Sequence, residues 1–296
     1  MRKFKSRKKS SNKLLFILFI CLSLLVIFKS NKVLLNSESL LDYLIEDNLN
    51  IKDKKINDIE FIMKYIFNLD YKEVEVKPVI IEKEVVEEQL PIVYIYNTHQ
   101  SEEYKRSFLD SYNIPTTVLI ASKILKENLE SEGITTIVEN NDLVQIRNNM
   151  ELKYGKSYEV SRSALESAYK SNSSLKYFID IHRDAGTHEK TTLISNNISY
   201  AKLLFVVGLD NPSYENNLKI VETLSNDLNN TLSGISRGIV KKSGLKVNGV
   251  YNQDFSENVM LIEVGGENNT IEEVNNTLNI LASVLVKYIK GNNYGI

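Results

Sequence analysis

From Pro91 onward, short apolar runs alternate with longer stretches whose apolar positions recur every three or four residues. Ile92–Tyr96 reads as a buried strand. Val118, Ala121, Leu125 and Leu129 then fall on one face of a helix that stops at Gly133. Ile134–Val138, Tyr177–Ile181, Leu203–Gly208 and Val259–Val264 are further strand candidates, and residues 159–171 form a helical stretch between the second and third. Pro212 and Ser213 open a helix bearing Leu218, Val221, Leu224 and Leu228. Thr270 with Glu273 has the spacing of a capping box, ahead of a last helix bearing Val274, Leu278, Leu281, Leu285 and Ile289. Strands that alternate with helices predict an α/β fold with a mostly parallel sheet flanked by helices.

The N-terminal third has another pattern. Leu14 to Phe28 carries no charge and is bounded by Lys13 and Lys29. A membrane-crossing helix needs about 20 apolar residues, and flanking lysines extend the reach of a slightly shorter one. No small-x-small cleavage site follows, which favours an uncleaved signal anchor over a signal peptide. Arg2, Lys3, Lys5, Arg7, Lys8, Lys9 and Lys13 precede the run without one acidic residue. Their charge keeps the N-terminus in the cytoplasm and the rest of the chain on the other side of the membrane. Tyr71 to Leu90 alternates Val and Ile with Glu and Lys around Pro78, as an extended spacer or a docked edge strand would. The expected organisation is a basic cytoplasmic tail at 1–13, a transmembrane anchor at 14–30, a linker at 31–90 and a folded domain at 91–296.

Composition narrows the chemistry. A chain of 296 residues, 43% hydrophobic and 25% charged, has material for one sizeable core. A formal net charge of −2 gives no reason to expect nucleic acid as a partner. The single cysteine, Cys21, lies in the apolar run, so the folded part has neither a disulfide nor a thiolate ligand.

Only three histidines occur: His99, His182 and His188. His99 follows the first strand in YIYNTHQSEEY, and His182 ends the third in FIDIHRDA. Glu263 lies toward the end of the last strand in MLIEVGG. Open α/β sheets place their active sites at the carboxyl ends of strands. Two histidines and carboxylates converging there suit a catalytic zinc ion with three protein ligands and one open position. A carboxylate within Val259-Met260-Leu261-Ile262 is costly to bury without a partner. Glu102 and Glu103 are candidates for the site or for a solvated loop. Arg183 and Asp184 fit either a structural ion pair or a substrate clamp. His188, in the polar stretch GTHEKTT, is read as exposed.

The blocks YNTHQSEEY, SYEVSRS, FIDIHRDA, LLFVVG, YNQDFS and MLIEVGG, in this order, resemble the stage II sporulation protein P family over about residues 91–290. That resemblance implies a zinc-dependent N-acetylmuramoyl-L-alanine amidase fold. It also implies amidase and crosslink endopeptidase activity on peptidoglycan during engulfment. The family's HTHxxE pattern falls on Asn97, Thr98, His99 and Glu102, so that Asn97 replaces its first histidine. The resemblance implies that His99, Glu102 and His182 hold Zn²⁺, with Glu103 as the alternative carboxylate ligand, and that Glu263 is the general base. Arg183 is the candidate for binding substrate carboxylates, and Tyr251 and Asn252 for lining the groove. Stage II sporulation protein D is the partner the family suggests. A zinc carboxypeptidase-like peptidase acting on proteins has the same metal set, and a non-catalytic membrane-tethered scaffold is the alternative from another class.

Overall fold

The computed structural model describes residues 89–106 and 114–294. The basic tail, the proposed anchor and all of the linker but its last two residues lie outside this range. Among the described residues, no helix is long and apolar enough to cross a membrane.

The described residues form eight strands: β1 Val93–Tyr96, β2 Thr136–Val138, β3 Tyr177–Asp184, β4 Thr192–Ser195, β5 Ile198–Ala201, β6 Leu203–Gly208, β7 Ser236–Lys242 and β8 Val259–Gly266. The helices are α1 Val118–Ser131, α2 Leu143–Asn149, α3 Ser157–Ser171, the single turn α4 His188–Thr191, α5 Tyr214–Thr231 and α6 Ile271–Tyr294. Six strands form one sheet in the order β2-β1-β3-β8-β6-β7. Every neighbouring pair is parallel except β6 with β8. The mixed α/β architecture with a mostly parallel sheet is therefore as expected.

Side chains alternate across a strand, so each strand feeds two cores. Val93, Ile95, Ile179, Ile181, Phe205, Met260 and Ile262 point to one face, where α1, α5 and α6 supply Leu125, Leu224, Leu281 and Leu285. Tyr94, Tyr96, Phe178 and Val259 point to the other, against Leu165 of α3. By the same alternation, Asp180, His182 and Glu263 belong to the α3 face, and His182 lies in register with Glu263 on the adjacent strand. The polar site is thus the continuation of the smaller core toward the carboxyl ends of β1, β3 and β8.

Helix ends follow local chemistry. Gly133, at φ +80, ends α1 in a Schellman arrangement in which Gly133 N–H donates to Glu130 O and Ile134 N–H to Leu129 O, both at 2.9 Å. Gly265, at φ +65, interrupts the extended backbone of β8 two residues after Glu263. A Cβ there would stand 2.7 Å from Asn269 Oδ1 and 2.8 Å from Ala201 Cβ.

Three elements depart from the expected pattern. The strand β7, of sequence SRGIVKK, lies at the sheet edge and is mostly half-exposed, so it has no apolar run to betray it. The hairpin β4–β5 turns at Asn196 and Asn197, both at positive φ, as a two-residue type I′ loop requires. The short helix α2 buries only Leu143.

The capping box at the start of α6 is reciprocal: Glu273 N–H donates to Thr270 Oγ1 at 3.3 Å, and Thr270 N–H donates to Glu273 Oε2 at 2.9 Å. Replacing the cap, Thr270→Ala, should lower unfolding stability by about 1 kcal/mol. Urea unfolding should show this as a lower midpoint at unchanged slope. An unchanged midpoint would mean that the hydroxyl contributes nothing.

Candidate metal centre

The turn after β1 places the first group of candidates. Glu102 N–H donates to His99 O at 2.9 Å, which closes a turn and sets the Glu102 and His99 side chains side by side. Gln100 ties this turn to the loop after β2, since its Nε2 donates to Asn141 O at 2.9 Å and its Oε1 accepts from Leu143 N–H at 2.7 Å. Asn97 points away from the centre. Its amide donates to Ile181 O at 2.7 Å, and its carbonyl accepts from Ser122 Oγ at 3.0 Å.

His182 is the hub. Its Nδ1 lies 3.4 Å from Glu102 Oε2, and its Nε2 lies 3.1 Å from Asp180 Oδ2, slightly out of line for a hydrogen bond. The His99 ring stands edge-on to it, with centroids 5.3 Å apart. Tyr154 stacks on the outer face of His99 at 4.5 Å, and Tyr158 lies 5.7 Å from His99 and 6.4 Å from His182. Tyr251 meets Tyr158 edge-on at 5.4 Å. Aromatic rings therefore wall the imidazole pair on the α3 side.

Charge and burial set the proton affinities. Burial pushes the His182 imidazolium toward neutrality, but Asp180 and Glu102 overrule it and hold the ring well above the usual imidazole range. Burial lowers His99, and the neighbouring His182 lowers it further, so His99 is neutral with a free lone pair. Burial raises Glu263 to about 7. His182 opposes the rise, whereas Glu102, Asp184 and Asp180 add to it.

The structure also separates the candidates. Glu102 Oε2 faces His182 and accepts from Arg183 N–H at 3.1 Å, while Glu103 is exposed and uses its backbone carbonyl to accept from Arg183 Nε at 3.0 Å. Arg183 does not pair with Asp184. The partner of Asp184 is Arg237 on β7, whose Nη1 lies 2.6 Å from Asp184 Oδ2. Asn252 is buried, and its amide donates to Ser161 Oγ at 3.0 Å and Tyr158 O at 3.3 Å, so it braces the wall instead of lining a groove. Tyr251 and Asn252 both adopt positive φ, a strained turn held by Asn248 Oδ1, which accepts from Tyr251 N–H at 2.5 Å. His188, six residues beyond His182, keeps half of its side chain exposed and pairs with Glu273 at 3.2 Å. Asp180 and Arg237 were not singled out from the sequence. An acidic residue two positions before His182 on one strand face is the signal for the first, but nothing local marks Arg237.

Among the described residues, His99 Nδ1, His182 Nε2 and Glu263 Oε2 are buried in or around this cluster without a hydrogen-bond partner. Among the described residues, no three His, Cys, Asp or Glu side chains stand closely enough around one point to hold an ion as they are. The donor chemistry nevertheless fits zinc. Tetrahedral ligands at about 2.1 Å from zinc lie about 3.4 Å from one another, and His182 Nδ1 and Glu102 Oε2 are 3.4 Å apart. His182 Nε2 faces Asp180, whereas the unpartnered His99 Nδ1 and Glu263 Oε2 are atoms that a cation and its water would satisfy.

In the metal-free protein, Glu263 has a testable cost. Its proton affinity is raised on folding, so the stabilisation it gives below about pH 4.5 is lost as the pH rises through about 7. Metal-free Glu263→Gln avoids that loss and should be the more stable protein at pH 8, by on the order of 1–3 kcal/mol. The difference should shrink at pH 5 in urea unfolding with chelator. A variant less stable than wild type at pH 8 would refute the unpaired burial of Glu263.

Residues 31–286 match the family model of stage II sporulation protein P. Stage II sporulation protein P of Bacillus subtilis (strain 168) is 35% identical over 200 residues, which cover 65% of this chain and 50% of that protein. The chain thus spans about half the length of the curated relative it matches. Among solved structures, the CwlD amidase from Clostridioides difficile, in complex with the GerS lipoprotein, is 15% identical with a TM-score of 0.45, over 69% of this chain and 100% of that one. A metallo-carboxypeptidase from Burkholderia cenocepacia is 11% identical with a TM-score of 0.42, over 69% of this chain and 58% of that one. Likeness at that level carries no functional argument, whereas the family match spans most of the sequence and every candidate ligand in it. The chain belongs to the stage II sporulation protein P family.

Proposed function

We propose that the chain is a membrane-anchored zinc hydrolase that cuts amide bonds of peptidoglycan during engulfment, as an N-acetylmuramoyl-L-alanine amidase and also as a crosslink endopeptidase. The observation that supports this best is the edge of the sheet where His99, Glu102, His182 and Glu263 meet, with buried His99 Nδ1 and Glu263 Oε2 that no group among the described residues satisfies. His99, Glu102 and His182 would hold Zn²⁺. When bound, the ion would polarise the scissile carbonyl and lower the pKa of water toward about 7.

The protein's own groups supply the rest. Glu263, with a proton affinity balanced near neutrality, takes the proton of the attacking water at Oε2 and returns it to the amide nitrogen as the C–N bond breaks. Asp180 and Glu102 hold His182 between them. The exposed Tyr154 ring, stacked on His99, offers a flat apolar face at the mouth of the site, which suits the apolar face of a sugar ring. Arg183, half-buried beside Glu103, remains the candidate for binding stem-peptide carboxylates. Residues 1–13 form the cytoplasmic tail, 14–30 the single-pass anchor and 31–90 the spacer in this reading. Residues 91–296 form the catalytic domain on the wall-facing side, with stage II sporulation protein D as a partner.

The catalytic test is muropeptide analysis after digestion of purified peptidoglycan with the full chain in detergent. Wild type should release free stem peptides. Glu263→Gln should stay folded and zinc-loaded and release them about 10²–10⁴-fold more slowly. His182→Ala should lose zinc and activity together. An active Glu263→Gln variant, or stoichiometric zinc in His182→Ala, would end this assignment.

Topology is tested separately. Protease added to intact protoplasts should digest the domain at 91–296. Full protection would reverse the orientation and remove a wall substrate from reach.

A further inference from the structure

We infer that Asp180 is a positioning residue that decides which nitrogen of His182 is offered to the metal. This inference rests on the zinc reading above. Asp180 is fully buried, and everything polar that faces it donates or must donate. Its Oδ1 accepts from Thr98 N–H at 2.9 Å, and its Oδ2 accepts from Thr98 Oγ1 at 2.6 Å and faces His182 Nε2 at 3.1 Å. Asp180 and His182 are two positions apart on β3, so the alternation of the strand holds both on the α3 face.

An ionised carboxylate only accepts hydrogen bonds. Next to it, Nε2 must carry the ring hydrogen. The lone pair of a neutral His182 is then left on Nδ1, the atom that faces Glu102 Oε2. The opposite tautomer would set two lone pairs against each other at Nε2 and point N–H at the metal position. Thr98 makes the arrangement rigid, because its backbone and hydroxyl fix both carboxylate oxygens. Ser161 lies 2.8 Å from the same hydroxyl and joins α3 to the chain of bonds. The loop that carries His99 and Glu102 is thereby fastened to the strand that carries His182. Carboxylates behind metal-ligating histidines have this effect in other sites, where losing one weakens metal binding by about 10–100-fold.

Asp180→Asn is the informative change. The amide oxygen takes the Thr98 N–H bond, which leaves the NH₂ group facing Nε2. A donor there drives the ring hydrogen to Nδ1 and takes the lone pair away from the metal. Competition with a chelator should show zinc bound about 10–100-fold more weakly than by wild type. Ser225→Ala is the stability control: it breaks the buried 2.7 Å contact with Ser236, beneath α5 and away from His182. It should lower the melting temperature without weakening zinc. Long-range ¹⁵N NMR of zinc-loaded wild type gives a readout that needs no variant, with His182 protonated on Nε2. Wild-type zinc affinity in Asp180→Asn, equal weakening in Ser225→Ala, or Nδ1 protonation in wild type would each overturn the inference. A wild-type protein that binds no zinc would overturn it together with the zinc reading.

Discussion

The bond between Thr98 and Asp180 is the constraint on which the site depends. Thr98 lies just beyond β1 and Asp180 in the middle of β3, and neighbouring parallel strands bring them together with no further device. Without this bond, the turn at 98–101 would be held to the sheet mainly through Asn97 and the Gln100 contacts to the loop after β2. A buried carboxylate with no donors would cost several kcal/mol. Here it takes two hydrogen bonds from Thr98 and faces a ring nitrogen, so its burial is offset and its direction is fixed. The position of His99 and Glu102 follows from that, and so does the ring orientation of His182.

Around this fixed point the charges do not balance. Asp180, Glu102 and Glu263 crowd one edge of the sheet, while His182 is the one imidazole they hold in its charged form. Arg183 turns outward to Glu103, and Arg237 is taken by Asp184. Glu263 bears the consequence, because its Oε2 is sealed with no donor and its proton affinity rises to about 7. A site built only for stability would fill such a position with an apolar residue, as Val259, Leu261 and Val264 do beside it. The unpaired acidity at Glu263 is destabilising in the free protein and favourable once a divalent cation and a water share the space.

Much of this was legible in the sequence, for a physical reason. Strands buried on both faces read as continuous apolar runs, and β1, β3, β6 and β8 are of that kind. A charged or titratable residue inside such a run, as at His182 and Glu263, stands out because burial makes it expensive. The edge strand β7 and the hairpin β4–β5 are half-exposed, so no alternation of that strength marks them. Glu102 and Glu103 look alike in sequence. Only the turn closed by Glu102 N–H on His99 O decides which carboxylate faces His182. Asp180 was visible as a residue but not as a role, since its partner lies 82 residues earlier in the chain.

Asn97, at the position where the resemblance implies the first histidine of the family's pattern, can be understood in the same terms. The side chain at 97 points toward the helix α1, where it bridges Ile181 O and Ser122 Oγ and is almost wholly buried. A neutral residue with one donor and one acceptor meets both needs. An imidazole with one N–H and one lone pair meets the same pair of needs in a larger ring. Either residue therefore serves the junction of β1, β3 and α1, and neither direction of that bond leads toward His182. The requirement at 97 is to staple the strand ends from behind, and asparagine satisfies it without adding a nitrogen to the site.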